Sequence, residues 1–421
     1  MNKVAIFTDF SNFDPAYSLC RVVQSQVRML VRGGYRPVLL VRKGFQQFHA
    51  PAYDGAEIVE LDPGTPEGNE VQVSEKSGEE IAGLAAQLRE VLKEVDVVLT
   101  HDLIYQPSLW KHHVAARRVA KFFSGLHWYH WVHSATNLGV AEKVEQFRQE
   151  LRGKFPGSKL VAMHAEEVNR KGSLYGYEQD EIVIVPNPVD FLEDFHPAAK
   201  QLVEKAKLMA ADIVGFFPCR LDRGKQAHIL IEVFAGLCKK GFDARVVIAD
   251  FHSIAGDKLT YREEMRKQAE DYGVPVFFTS DLEGTENGAP FNYCIPHKAV
   301  LDIMELADVL VHPSRSESDP LILPEAAWKR CGLVLNFDLP VFRQYDGQAL
   351  MYKFSSAIDV MTGMPGETKT EHSDRAAYMA HVAAGIAYQM EHNSVLRLHA
   401  KMRKERSLEG VWPKLWAVVE A

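Results

Sequence analysis

At 421 residues, 47% hydrophobic and 25% charged, the chain is long enough for two domains with separate cores and too apolar to be disordered. A net charge of −8 excludes a molecule that holds nucleic acid through its overall charge. Five cysteines (Cys20, Cys219, Cys238, Cys294 and Cys331) show no paired or zinc-type spacing, so reduced thiols in a cytoplasmic protein are expected. The opening MNKVAIFTDF leads into a strand and lacks the apolar core and cleavage site of a signal peptide. No apolar run approaches the roughly 18 residues of a membrane span, so no integral membrane segment is expected.

Val4–Phe7 reads as a first strand, followed by helical spacing over Val22–Leu30 and a second strand over Pro37–Val41. Residues 51–78, rich in Gly, Pro and Glu, read as loop. Further along, an amphipathic helix over Ile81–Val95 leads to a strand over Val97–Thr100. A helix over 110–121 precedes an aromatic strand, Leu126–Val132; a helix over Glu142–Leu151 and strands at Leu160–Met163 and Ile182–Val185 follow. Three prolines in Pro186–Lys200 mark a linker. A second alternating series then runs through strands at Ile213–Phe217, Arg245–Ala249, Val276–Thr279, Val309–His312 and Leu333–Phe337, with helices between them and two helices beyond residue 374. Alternation of this kind predicts an α/β protein with two mostly parallel sheets. The expected domains are 1–190, 191–395 and a C-terminal helical stretch, 396–421, that packs back toward the first domain.

Two strand ends in the second half carry chemistry. In "FFPCRLDRGKQAHILIEVFAGLCKKG" a strand gives way to a turn holding Arg220 and Lys225, and a helix begins. Ligands of open α/β sheets sit at the carboxyl ends of strands, and two cations beside a helix start suit a diphosphate. As an isolated pair they read better as solvated loop charges. In "SRSESDPLILPEAAWKRCG" Glu317 and Glu325 flank a proline-broken apolar run. Pro324 fits the first position of a short helix and Gly332 its end. Carboxylates are poor ligands for phosphate and good acceptors for sugar hydroxyls. Glu325 alone also reads as a helix-dipole charge.

Together, Arg220…Lys225 and Glu317…Glu325 resemble the signature of the retaining GT-B glycosyltransferases of family 4, the group 1 glycosyl transferases. Val185-Pro186-Asn187-Pro188-Val189-Asp190 is similar to that family's interdomain linker, and the stretches 307–318 and 331–344 resemble its flanks around the two glutamates. The resemblance implies a GT-B fold of two Rossmann-like domains facing each other across a cleft. It implies a nucleotide-sugar donor, UDP- or GDP-type, from which a hexosyl or pentosyl group moves with retention and without a metal or other cofactor. Arg220 and Lys225 would hold the diphosphate, Glu325 the ribose, and Glu317 the transferred sugar. Ser318, Asp319, Leu321 and Ile322 would line the donor site, with Phe278 and Leu282 beside the base. The chain departs from the family at Ser318-Asp319-Pro320, where a Gly-Phe-Gly loop is usual, and Pro320 has no N–H to give. It also lacks the glycine-rich loop after the first strand.

In the first half, the resemblance implies a histidine at the end of the aromatic strand, near the transferred sugar. His133 holds that end, with His130 second and His101 a weaker acceptor-side candidate; each also reads as an ordinary core or surface histidine. Segment 111–171 carries 11 Lys/Arg against 5 Asp/Glu, including Lys111, Arg117, Arg118 and Lys121. It reads as a solvated helix face, or as an attractor for a polyanionic acceptor, such as phage-type DNA with modified bases, or a membrane surface. A degenerate, non-catalytic GT-B protein that binds a sugar nucleotide is a further alternative, and a GT-B epimerase another, for which no convincing acid and base set stands in the sequence.

Overall fold

The computed structural model describes residues 2–64, 71, 73–123, 125–133, 143–252, 258–286, 288–354 and 374–420. The chain forms two compact units, Met1–Asp190 with Arg406–Ala421, and Phe191–Glu405. The stretch 396–421 is thus shared between them.

The first unit is built on seven parallel strands: β1 (Lys3–Phe7), β2 (Arg36–Arg42), β3 (Glu57–Leu61), β4 (Val97–His101), β5 (His127–Trp131), β6 (Ser158–Ala162) and β7 (Ile182–Ile184). Their order is β3-β2-β1-β4-β5-β6-β7. Side chains alternate between faces, as a strand requires. Ala5, Phe7, Val38, Leu40 and Val98 enter one core, and Val4, Ile6, Leu39, Val41, Val97 and Leu99 the other. Burial on both faces explains the near-continuous apolar runs from which these strands are legible. The helix Leu408–Val419 supplies Leu408, Val411 and Leu415 to the second of these cores.

The second unit holds six parallel strands: β8 (Ile213–Arg220), β9 (Ala244–Phe251), β10 (Val276–Phe278), then, beyond the small hairpin of β11 (Thr285–Glu286) and β12 (Ala289–Pro290), β13 (Val309–His312), β14 (Gly332–Asn336) and β15 (Leu350–Tyr352). Their order is β10-β9-β8-β13-β14-β15. Both sheets are α/β and Rossmann-like, and each reverses its winding at one place: between β1 and β4 in the first, between β8 and β13 in the second. Such a switch point opens a crevice at the carboxyl ends of the strands.

Several sequence expectations need correction. Residues 51–78 contain the edge strand β3, whose EIVEL lacks a clean alternation because only Leu61 is fully buried. Of the helix expected over Glu142–Leu151, Arg148–Leu151 is α-helical, and residue 142 lies outside the described residues. The linker's last residues start a helix, Pro197–Lys205, in which Pro197 takes the first position. Among the described residues no helix is long and apolar enough to cross a membrane.

Candidate functional site

β8 delivers Arg220 at its end, and one tight turn, Arg223–Lys225, brings Lys225 toward the helix His228–Lys239. Gln226 is left-handed at φ 54, a conformation that costs a non-glycine residue roughly 1–2 kcal/mol. Its side chain helps to hold it there: Nε2 donates to the Pro313 carbonyl at 2.6 Å, in the loop after β13. The Arg315 N–H donates to the Gly224 carbonyl at 2.9 Å. From β14, Asn336 Nδ2 donates to the Ser314 carbonyl at 3.0 Å. These bonds tie together the two loops of the switch point.

Lys225 and Glu317, 92 positions apart in sequence, consequently meet at 2.6 Å, with side chains 19% and 14% exposed. His312, at the end of β13, stands 3.6 Å from Glu317 and is packed edge-on by Phe217 and Phe342. Burial first, and then Lys225, push its pKa down to about 3, so the ring is neutral beside the ion pair. Arg220 stands apart: its side chain is 58% exposed and reaches Asp222 at 3.5 Å.

Glu325 is placed differently from expectation. The helix is Ile322–Trp328, so Pro324 is its third residue, still within the turn whose N–H groups have no helical partner. Glu325 accepts a hydrogen bond from His297 Nε2 at 3.0 Å. The left-handed residue that closes the helix is Arg330, at φ 61, and Gly332 opens β14 instead. A Cβ on Gly332 would press on the Asp308 carbonyl at 3.2 Å, which is why glycine suits that strand. Ser318, Asp319 and Leu321 are exposed and Ile322 half-buried. Phe278 and Leu282, assigned to the base, are both buried, in the cores on opposite faces of the sheet, so neither ring nor side chain offers a stacking surface.

Sequence reasoning missed Asp250. It sits fully buried near the end of β9, accepts from Thr279 Oγ1 at 3.1 Å and from the Ser280 N–H at 2.8 Å, and has one oxygen without a partner among the described residues. Burial raises its pKa against those bonds. Nothing in "VVIADF" distinguishes it from an ordinary strand-end acid. A larger cavity in this unit, about 540 Å³, is lined by Leu306, Leu396, Leu398 and Arg403. It opens near the amino ends of β13 and β14, away from this chemistry, and is mainly apolar.

In the first unit, β4 and β5 bring His101 and His133 together. Gln26 Oε1 accepts from His101 Nε2 at 2.8 Å, so His101 Nδ1 is the acceptor for His133 Nε2–H, also at 2.8 Å. Burial lowers the pKa of both rings, which keeps the pair neutral. His130 lies elsewhere: fully buried, bonded to Thr100 Oγ1 at 2.7 Å and packed on Phe155. Burial and Arg117 push its pKa down to about 3.

The helix Trp110–Phe122 is not the expected solvated face. Lys111, His112, His113 and Arg117 are buried. Lys111 pairs with Glu80 at 2.8 Å, Arg117 donates to His113 Nε2 at 2.9 Å and to backbone carbonyls at 152–154, and Arg118 forks onto Glu150. Lys111, Arg117 and Arg118 are thus spent on internal partners, while Lys121 at the end of the helix stays exposed.

No protein-family profile and no curated protein matches the chain. Among solved structures it is similar to a glycosyltransferase from Rickettsia africae (12% identity, TM-score 0.37, covering 100% of this chain and 98% of that one). It is similar to HepE of Anabaena in complex with UDP and glucose (13% identity, TM-score 0.36, 100% of both chains). A third is sucrose-phosphate synthase from Thermosynechococcus elongatus (14% identity, TM-score 0.35, 100% and 98%). Likenesses this distant carry nothing about activity, which has to be read from the residues.

Proposed function

We propose that the chain is a GT-B glycosyltransferase that moves a sugar with retention from a UDP- or GDP-type donor to an acceptor, without a metal, in the cytoplasm. The observation that carries this reading is the Lys225–Glu317 pair, 2.6 Å apart at the switch point of the second sheet. A cation held there by a carboxylate can turn to a diphosphate, while the carboxylate accepts sugar hydroxyls. Arg220, exposed on the neighbouring strand end, adds a second cation. Retention is what the resemblance of the Glu317…Glu325 pattern to the family 4 signature implies. The acceptor proton would pass to the departing phosphate, so no protein nucleophile is required. A thermal-shift panel of UDP-, GDP-, ADP- and TDP-sugars tests the donor; stabilisation by none of them rejects the reading.

The two glutamates are expected to fail differently. Glu325→Gln removes an acceptor for ribose hydroxyls. Hydrogen bonds to charged groups are worth about 1.5–3 kcal/mol, so free UDP or GDP should bind about tenfold or more weakly. Glu317→Gln should spare nucleotide affinity and lower turnover. Calorimetric titration decides; equal losses in both variants, or none in either, reject the two roles.

Activity is expected to persist in excess EDTA, because Lys225 and Arg220 supply the positive charge a divalent ion would otherwise bring. Loss of activity restored by manganese or magnesium alone refutes this.

Two observations favour a binding protein without turnover: Lys225 is already neutralised by Glu317, and Pro320 can give no N–H to a phosphate. Donor binding with no hydrolysis and no transfer would establish that reading.

A further inference from the structure

At the switch point of the first sheet, where β1 and β4 end, a pocket of about 160 Å³ is lined by Thr8, Tyr17, Asp102, Gln106 and Ser108, among others. Asp102 follows β4 in a left-handed conformation, φ 58, and the protein holds it there. Its Oδ1 accepts from the His133 N–H at 2.9 Å and from the Tyr105 hydroxyl, while its own N–H donates to the Trp131 carbonyl at 2.9 Å. Oδ2 accepts from no described residue. The second carboxylate of the pocket, Asp9, accepts from Nε and Nη2 of Arg42.

No Lys or Arg lines the pocket among the described residues. Arg42 reaches the pocket's rim and is spent on Asp9, whose charge it offsets, while Lys111 pairs with Glu80 and Lys171 with the Val132 carbonyl and Glu167. With Arg42 balanced by Asp9, a phosphate or carboxylate entering here would meet the Asp102 charge with no lining Lys or Arg, among the described residues, set against it. A hydroxyl would instead donate to Asp102, and Tyr17, Ser108 and Gln106 can each both donate and accept. Phe10 and the half-exposed Tyr17, edge to face at 6.3 Å, add an apolar wall against which a carbon ring can lie.

We infer that this pocket takes one ring of an uncharged, hydroxyl-rich acceptor, a neutral sugar or polyol, and disfavours phosphorylated or polymeric anionic acceptors. The word acceptor rests on the glycosyltransferase reading; the ligand class rests on the pocket alone.

The test uses the full chain, methyl glycosides of glucose, galactose and mannose, the matching hexose 6-phosphates and a short single-stranded DNA. Binding is followed by saturation-transfer NMR and titration, with UDP titrated into the same samples. At least one neutral glycoside should bind more tightly than its phosphate and than DNA. Asp102→Asn keeps a residue that tolerates positive φ but removes the charge. It should weaken the neutral ligand about tenfold, since bonds to charged groups are roughly twice as strong as neutral ones, and strengthen phosphate binding. Tyr17→Ala, at a half-exposed position, should weaken the glycoside without changing the melting temperature. UDP affinity should stay the same in both variants. Tighter binding of phosphates or DNA by the wild type overturns the inference. So does a failure of every neutral glycoside at tens of millimolar, or indifference of bound glycoside to both substitutions. If glycosides bind as described and UDP does not, the donor reading falls and the pocket stands.

Discussion

Lys225→Ala is expected to lower kcat by about 10²–10³-fold, the loss typical of removing one preorganised group that stabilises developing charge. As the sugar bond breaks, negative charge accumulates on the departing diphosphate, and a cation already fixed nearby interacts more strongly with that state than with the bound donor. Lys225 is fixed in this way by Glu317 and by the turn that Gln226 braces. The fall should therefore appear in kcat more than in KM. Arg220→Ala should lower kcat as well, but less, because its side chain is 58% exposed and its field is screened by water. Removing Lys225 also leaves Glu317 without its partner. The double variant with Glu317→Gln should therefore lose less than the product of the two single losses. The melting temperature should change little, since neither side chain is in a core. Turnover near that of the wild type in Lys225→Ala would reject the assignment.

The second large effect concerns stability. Asp308 and Arg403 are fully buried as a forked ion pair, with distances of 3.0 and 2.9 Å. Arg403 also donates to the carbonyls of Leu306 and Ala211 at 3.0 Å, and Asp308 accepts from the Val214 N–H at 2.8 Å. The pair joins the helix Ser394–Arg406 to the amino ends of β8 and β13, below the switch point. Asp308→Ala would bury an uncompensated guanidinium, and breaking such a pair costs about 3–5 kcal/mol. Urea unfolding, followed by a probe in the second unit, should show a loss of that size. Replacing both residues with apolar ones should recover part of it, because the remaining cost is cavity and shape rather than charge. A loss near zero in Asp308→Ala would show that water reaches the pair.

Much of this architecture is written locally. Runs such as "VAIF", "VVIA" and "VLVH" are apolar on both faces because parallel strands are covered on both sides. Their alternation with amphipathic helices implies two Rossmann-like halves. Arg220 and Lys225 are legible because they follow such a run, and Glu317 because it follows another. β3 was not legible, because an edge strand buries too little to impose a pattern.

Pairing between distant segments is a different matter. No local pattern announces that Gln226 reaches Pro313, and therefore that Lys225 meets Glu317. The register between β8 and β13 decides it, and register is a property of the packed sheet. The same holds for the basic helix Trp110–Phe122. A lysine reads as solvated until Glu80, on another helix, supplies the charge that makes its burial tolerable. It holds again for His101 and His133, which adjacent strands bring into one hydrogen-bonded chain with Gln26. Period and polarity therefore determined which segments became strands and which charged residues came to stand at their ends. The tertiary structure alone decided which charges are neutralised and which remain for a ligand, because desolvation and pairing depend on partners that sequence spacing does not reveal.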